Sequence, residues 1–246
     1  MGSKSRIAKY IIPIIQKYID DNHVDTYIEP FVGGANVIDK INCKNKFGSD
    51  NNKYLIALLK HVKNGGKLLD EVSRDFYNDV RLDYKNGGKY NDCIIGNVGF
   101  LASYNGKFFN GGYAKPGYEK TKYGERYRDY YKESKNNLLK QSLNLKDINF
   151  FESDFRTALP PCLENAVIYC DPPYNNTEKY AKQGDFNYDD FWETMRMWSK
   201  NNCVIISELS APKDFKCIWS KPVSRSINAS KKSNAIEKLF VWDGRK

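Results

Sequence analysis

Only two histidines occur in 246 residues, and neither His23 nor His61 stands at metal-ligand spacing from a cysteine. The six cysteines, Cys43, Cys93, Cys162, Cys170, Cys203 and Cys217, form no C-x-x-C pair, so reduced thiols and no metal centre are expected. Any long apolar run is missing too, which argues against a membrane span or a secretory signal and for a cytoplasmic protein. There is no internal repeat and no segment of low complexity. The G-x-G-x-x-G fingerprint of nicotinamide dehydrogenases is also lacking. What remains is a globular composition, 41% hydrophobic and 14% aromatic, long enough for one domain with a sizeable insertion or for two small ones. Its 39 Lys and Arg against 30 Asp and Glu give +9, which favours a polyanionic partner such as nucleic acid.

The most informative stretch is Ala166-Val-Ile-Tyr-Cys-Asp-Pro-Pro-Tyr174. Five mostly apolar residues read as a buried strand, and the two prolines stop it because neither has an N–H for a continuing ladder. Asp171 therefore sits at the carboxyl end of a strand, where ligands bind in open α/β sheets. The Pro172-Pro173 pair holds the next turn extended, so the Asp171 carboxylate, the Pro172 carbonyl and the Tyr174 ring can converge on one crevice.

Lys4 to Tyr18 reads as a helix kinked at Pro13, and Gly2-Ser3-Lys4 before it can offer N–H groups and an ammonium to an anion. Val24 to Ile28 reads as a strand, Pro30 and Gly33-Gly34 as a tight turn, and Ala35 to Ile41 as the opening of a helix. A second strand, Lys46 to Ser49, ends in Asp50, well placed either to accept from ribose hydroxyls or to cap the amphipathic helix that follows to Lys63. Leu68 to Tyr84 looks helical, and Ile94 to Tyr104 is apolar enough to pack on the core. Ser103 to Arg128 mixes glycine turns and aromatics with cations, a texture suited to phosphates and unstacked bases. Strands return at Asn149 to Phe155, Ala166 to Cys170 and Cys203 to Ser207. A helix lies within Asp185 to Asn201, and an antiparallel pair, Ile218 to Val223 with Lys238 to Trp242, closes the sheet.

Taken together, EPFVGGANV, SDF and DPPY stand in the order of the cofactor, adenine-holding and catalytic motifs of the Dam-like, alpha-class adenine-N6 DNA methyltransferases, with an insert between the first two. Weaker similarities are Gly2-Ser3-Lys4, FNYDDF, VIISEL and RSINASKKSNAIEKLFVW. The chain resembles that family over essentially its whole length. The departures are the absence of an aromatic segment before Gly2-Ser3-Lys4 and a merely partial likeness of SYNGKFFNGGY to the family's recognition hairpin. The resemblance implies a doubly wound, Rossmann-like methyltransferase sheet made of residues 1–63 and 141–246, carrying a target-recognition insert at 64–140. It implies S-adenosylmethionine as cofactor, leaving as S-adenosylhomocysteine, with no metal. Lys4, Glu29, Pro30, Phe31, Gly33, Gly34, Asp50, Asp154, Phe155 and Asp171 would form the cofactor side, and Asp171, Pro172, Pro173 and Tyr174 the catalytic side.

The partner so implied is double-stranded DNA, met by a monomer in a prokaryotic or phage-infected cell, in or outside a restriction-modification system. Tyr104, Asn105 and Phe108 would fill or read the gap left by a flipped adenine, while Lys107, Lys115, Lys122 and Arg126 meet the strand. The chemistry suits these residues. The lone pair of an exocyclic adenine amine is delocalised, and acceptors at Asp171 and the Pro172 carbonyl would draw it toward tetrahedral geometry without a metal or a covalent nucleophile. An RNA adenine or DNA cytosine-N4 methyltransferase would use similar physics, and a non-catalytic DNA-binding relative would keep the basic insert.

Overall fold

The computed structural model describes residues 4–121, 123–173, 186–228 and 231–244, with the backbone alone for residues 5, 6, 223–228 and 231–235. Its centre is a seven-stranded sheet of β1 (Thr26–Glu29), β2 (Asn45–Asp50), β5 (Ile148–Glu152), β6 (Ala166–Cys170), β7 (Cys203–Glu208), β8 (Phe215–Asn228) and β9 (Lys231–Trp242). The spatial order is β5-β2-β1-β6-β7-β9-β8, parallel from β5 to β7 and antiparallel where β9 joins β7 and β8 joins β9. From β1 the chain moves outward through β2 and β5, then returns to lay β6 on the other side of β1. That reversal opens a crevice at the carboxyl ends of β1 and β6, where Glu29 ends one strand and Asp171 follows the other. All five residues of β6 are buried, as a continuous apolar run covered on both faces requires.

Alternation along the strands sends side chains to two layers. Tyr27, Val167, Tyr169, Ile205 and Leu239 pack with α1 (Ser5–Asp21) and α2 (Lys53–Lys63) on one face. Ile28, Ile168, Cys170, Val204, Ile206 and Phe240 pack with α6 (Tyr188–Trp198) on the other. Pro13 does not end α1: it lies on the exposed side, while Ile7, Ile11, Ile15 and Ile19, four apart, line the buried side. The helix expected over 35–41 is instead a single 3₁₀ turn, Ile38–Lys40, because Val37, Ile38 and Ile41 all press into the core before β2 begins.

Residues 64–140 supply α3 (Arg74–Asn86), α4 (Asp92–Gly96), a short π turn (Asn97–Leu101), a ribbon of β3 (Gly117–Thr121) and β4 (Gly124–Arg128), and the start of α5 (Tyr130–Ser142). Helix α3 begins at Arg74, later than the sequence pattern suggests, because the Ser73 hydroxyl accepts from the Phe76 amide and sets the cap there. A β-carbon on Gly96 would lie 2.2 Å from the Tyr54 carbonyl, so α4 rests directly on α2. The apolar cluster of the sheet consequently runs on into Tyr77, Val80, Val98, Phe108 and Phe109 without a break.

Candidate active site

The strand end at Asp171 is surrounded by groups brought from distant parts of the chain. Lys4, capping α1, places its ammonium 3.1 Å from Asp171 Oδ1 and also against Glu237 Oε1 of β9. The three side chains are 8%, 19% and 3% exposed, so this is an ion triad inside the protein, with Asp171 the member nearest solvent. The Ser207 hydroxyl on β7 donates to the same Glu237 oxygen at 2.8 Å. The next turn is held from the other side. Tyr188, at the start of α6, donates its hydroxyl to the Pro173 carbonyl and lies 3.5 Å from Glu208 Oε1, and burial raises its phenol above the ordinary range. Glu29 is buried behind Asp171, accepts from the Tyr27 hydroxyl at 2.7 Å, and is pushed well above the usual carboxylate range chiefly by desolvation. At 3% exposure it offers almost no surface of its own.

Across the crevice, Phe31 to Ala35 form a turn pinned to β2. The Gly33 amide donates to Asp50 Oδ2 at 3.1 Å, the Asn52 amide to Oδ1 at 3.0 Å, and the Val32 amide to the Ser49 carbonyl at 2.8 Å. Gly33 has φ +49 and open space where a side chain would stand, whereas a β-carbon on Gly34 would lie 2.8 Å from Asn36. Burial raises Asp50, opposed by its two amide donors. It is not the cap of α2, a role taken by Asn52. Gln141, at the far end of α5, donates to both the Gly34 and Ala35 carbonyls at 3.0 Å. Nothing in its sequence surroundings marked that glutamine, since its partners are over a hundred residues away. Below the turn, Phe31 meets Phe155, Phe186 and Phe191 at centroid distances of 5.4, 6.0 and 5.9 Å. Asp154 caps the following 3₁₀ turn, and the Arg156 guanidinium, at 2.8 and 2.9 Å, holds its carboxyl below the usual range.

The profile of the D12 class N6 adenine-specific DNA methyltransferases matches residues 1–215. The chain belongs to that family. It is 31% identical over 216 residues to the Type II methyltransferase M.MjaIII of Methanocaldococcus jannaschii, an alignment covering 77% of this chain and 74% of that protein. Among solved structures, TrmN from Thermus thermophilus is 12% identical with a TM-score of 0.39, and this chain, 94% covered, spans 47% of it. The yhhF protein of Escherichia coli is 6% identical with a TM-score of 0.36, covering 96% of this chain and 86% of its own. The protein is thus an adenine-N6 DNA methyltransferase.

Of the residues expected to serve this methyltransferase, Lys4, Asp171, Pro172 and Pro173 meet at one strand end, and Phe31, Gly33, Gly34, Asp50, Asp154 and Phe155 line the neighbouring turns. Tyr174, Gly2, Ser3 and Lys122 lie outside the described residues. The stretch Ser103 to Tyr113 is not a hairpin. It is a compact turn closed by the Ser103–Tyr113 bridge and by the Ser103 hydroxyl, which accepts from the Phe109 amide at 3.0 Å and sits 3.0 Å from Tyr77 Oη. Phe108 and Phe109, at φ +22 and +58, turn their rings inward against Tyr54, Tyr84 and Phe100. Phe108, 7% exposed, is therefore corrected from a surface wedge to a core residue, while Tyr104 at 46% and Asn105 remain outside. Lys115 and Arg126 are exposed, with Arg126 tied to Glu133, and Lys107 is half-buried.

Among the described residues no three His, Cys, Asp or Glu side chains gather to hold a metal, no helix is long and apolar enough to cross a membrane, and all six cysteines are unpaired.

Proposed function

We propose that this methyltransferase takes its methyl group from S-adenosylmethionine and delivers it to an adenine flipped out of double-stranded DNA, with Asp171 and the Pro172 carbonyl as acceptors for the N6 hydrogens. The observation that carries the reading is the Asp171 carboxylate, 19% exposed and held by Lys4 at 3.1 Å, at the switch point of the sheet. Drawing on the adenine amine's hydrogens localises its lone pair, and the carboxylate opposes the positive charge that arrives on N6. Tyr188 fixes the turn that carries the second acceptor.

The turn beside it fits the cofactor. A glycine with open space beside its α-carbon, a carboxylate whose oxygens each carry a single amide donor, and the edge of an aromatic cluster suit a small polar chain, ribose hydroxyls and a flat base. Gly33 and Gly34 would lie along its backbone, Asp50 would take the ribose, and Phe31, Asp154 and Phe155 the adenine. Bound there, S-adenosylmethionine supplies an electrophilic sulfonium methyl.

Residues 64–140 would be the target-recognition insert on a catalytic unit of residues 1–63 and 141–246, meeting DNA through Tyr104, Asn105, Lys107, Lys115 and Arg126. Asp171→Asn keeps the side chain's size and removes its charge. N6-methyladenine measured by nucleoside mass spectrometry should fall about a thousandfold or more, roughly 4 kcal/mol in the barrier, while calorimetry finds S-adenosylhomocysteine still bound. Ordinary turnover by this variant would overturn the assignment.

A further inference from the structure

We propose that Glu237 is a positioning residue of the methyl transfer, acting on Asp171 through the Lys4 ammonium; this rests on Asp171 being the acceptor for the target amine. Glu237 lies beyond residue 215, where the family match ends, on an antiparallel strand opposite Lys221 of β8. It is 2% exposed, and its Oε1 receives both the Lys4 ammonium and the Ser207 hydroxyl.

Lys4 and Asp171 already form an ion pair, and withdrawing a second carboxylate from water is costly unless its partners compensate, as the ammonium and the Ser207 hydroxyl do here. Glu29 on β1 and Glu208 on β7 stand among the nearby acids, with Tyr27, Tyr188 and Ser207 as neutral donors, and burial holds Glu29 toward its protonated form.

A second carboxylate on the same ammonium bears on the charge that the reaction brings. The N6 lone pair forms a bond to the methyl carbon as the sulfur–carbon bond breaks, sulfur leaves as a neutral thioether, and N6 carries the positive charge until one of its protons departs. Sharing the ammonium leaves Asp171 electron-rich, and a second anchor on Nζ fixes where Asp171 is gripped.

The test is turnover by the whole protein on duplex DNA with saturating S-adenosylmethionine, comparing wild type with Glu237→Gln, Glu237→Asp, Lys4→Met and Lys4→Met/Glu237→Gln. Melting temperature and S-adenosylhomocysteine affinity are measured alongside. Glu237→Gln should lose about tenfold or more in kcat, with KM for both substrates and product affinity within about twofold. Glu237→Asp, which keeps the charge, should recover part of the rate. The double variant should be no slower than Lys4→Met alone, because the effect passes through the ammonium. Wild-type kcat in Glu237→Gln, or penalties that simply add in the double variant, would overturn the proposal. Should Glu237→Gln not fold, Glu237→Asp decides: a wild-type KM with lowered kcat supports the role, and wild-type kcat refutes it. Asp171→Asn run in parallel separates the two readings, since a dead Asp171→Asn beside a normal Glu237→Gln refutes the positioning role alone.

Discussion

Asp171 and Asn105, the residues proposed to meet the target base and a neighbouring base edge, are held in opposite ways. Asp171 is fixed by side chains from β7, β9 and the cap of α1, most of them buried and charged or hydrogen-bonded. Asn105 rides at φ +55 on a turn closed by near neighbours, with the Tyr104 amide donating to Gly112, Gly106 to Ser103 and Asn110 to Lys107. The contrast separates two demands. Chemistry needs a charge whose surroundings cannot relax, which takes a network spanning the fold. Recognition needs a surface whose tip can change without disturbing what lies beneath, which takes a rooted but locally closed loop.

The largest expected effect tests whether that turn is as rooted as its buried rings imply. Phe108→Ala should cost about 3 to 5 kcal/mol of stability by opening a cavity between Tyr54, Tyr84 and Phe100. Denaturant unfolding would measure it. A small loss of stability with altered sequence preference would return Phe108 to the DNA-facing surface.

Next, Asp50→Ala should weaken S-adenosylhomocysteine binding by about 1 to 3 kcal/mol, since it strips a partner from the Gly33 amide as well as from the ligand. Gln141→Ala, removing donors from the Gly34 and Ala35 carbonyls, should cost about 0.5 to 1.5 kcal/mol in the same titration. Equal affinities for Gln141→Ala and wild type would mean that the turn does not need the clamp from α5.

The outer surface is sharpened by pairing two variants on a randomised duplex pool at several salt concentrations. Asn105→Ala should relax one position of the site by about 1 to 3 kcal/mol. Lys115→Ala should weaken every sequence alike and reduce the salt slope by roughly one. If both keep the wild-type preference, reading belongs elsewhere on the insert, and the exposed Tyr118 and Tyr127 of the ribbon are the next residues to vary.

The smallest effect lies on the catalytic side's far rim. The Arg196 guanidinium, at 2.6 and 2.9 Å, lowers Asp214 from 3.8 to about 2, with the Trp242 indole N–H also donating to it. A carboxyl depressed in the folded state stabilises above its unfolded value and loses that stabilisation as pH falls through the folded one. Asp214→Asn should therefore flatten the dependence of stability on pH between about 4 and about 2, leaving neutral-pH turnover unchanged. An unchanged acid limb would show that the pair adds nothing net.

Much of the sheet was legible because its strands are short apolar runs ended by turn chemistry: Ala166 to Cys170 stopped by prolines, Thr26 to Glu29 by Pro30 and the glycines. The DPP stretch and the glycine turn were legible as candidate site elements for the same reason, each being a local break that exposes polar groups at a strand end. Asp50's actual partners, the Gly33 and Asn52 amides, were not, since pattern alone cannot separate a cap from a loop brace. Gln141 and Glu237 were hidden because their work is done across the fold. Phe108 misled because glycines and aromatics near cations look alike whether the rings face solvent or, as here, turn inward through positive φ.

The contact between Lys4 and Glu237 also has a bearing on when the enzyme becomes an enzyme. It joins residues 233 apart, and closing so long a loop costs about 2 kcal/mol more entropy than closing one of twenty residues. During synthesis the N-terminal parts fold first, so a growing chain carries the DPP stretch well before β9 exists to complete the triad. With Glu237 placed as proposed, methyl transfer at full rate waits until β9 has been made, and chains lacking β9 would be poor methylators even where they bind the duplex.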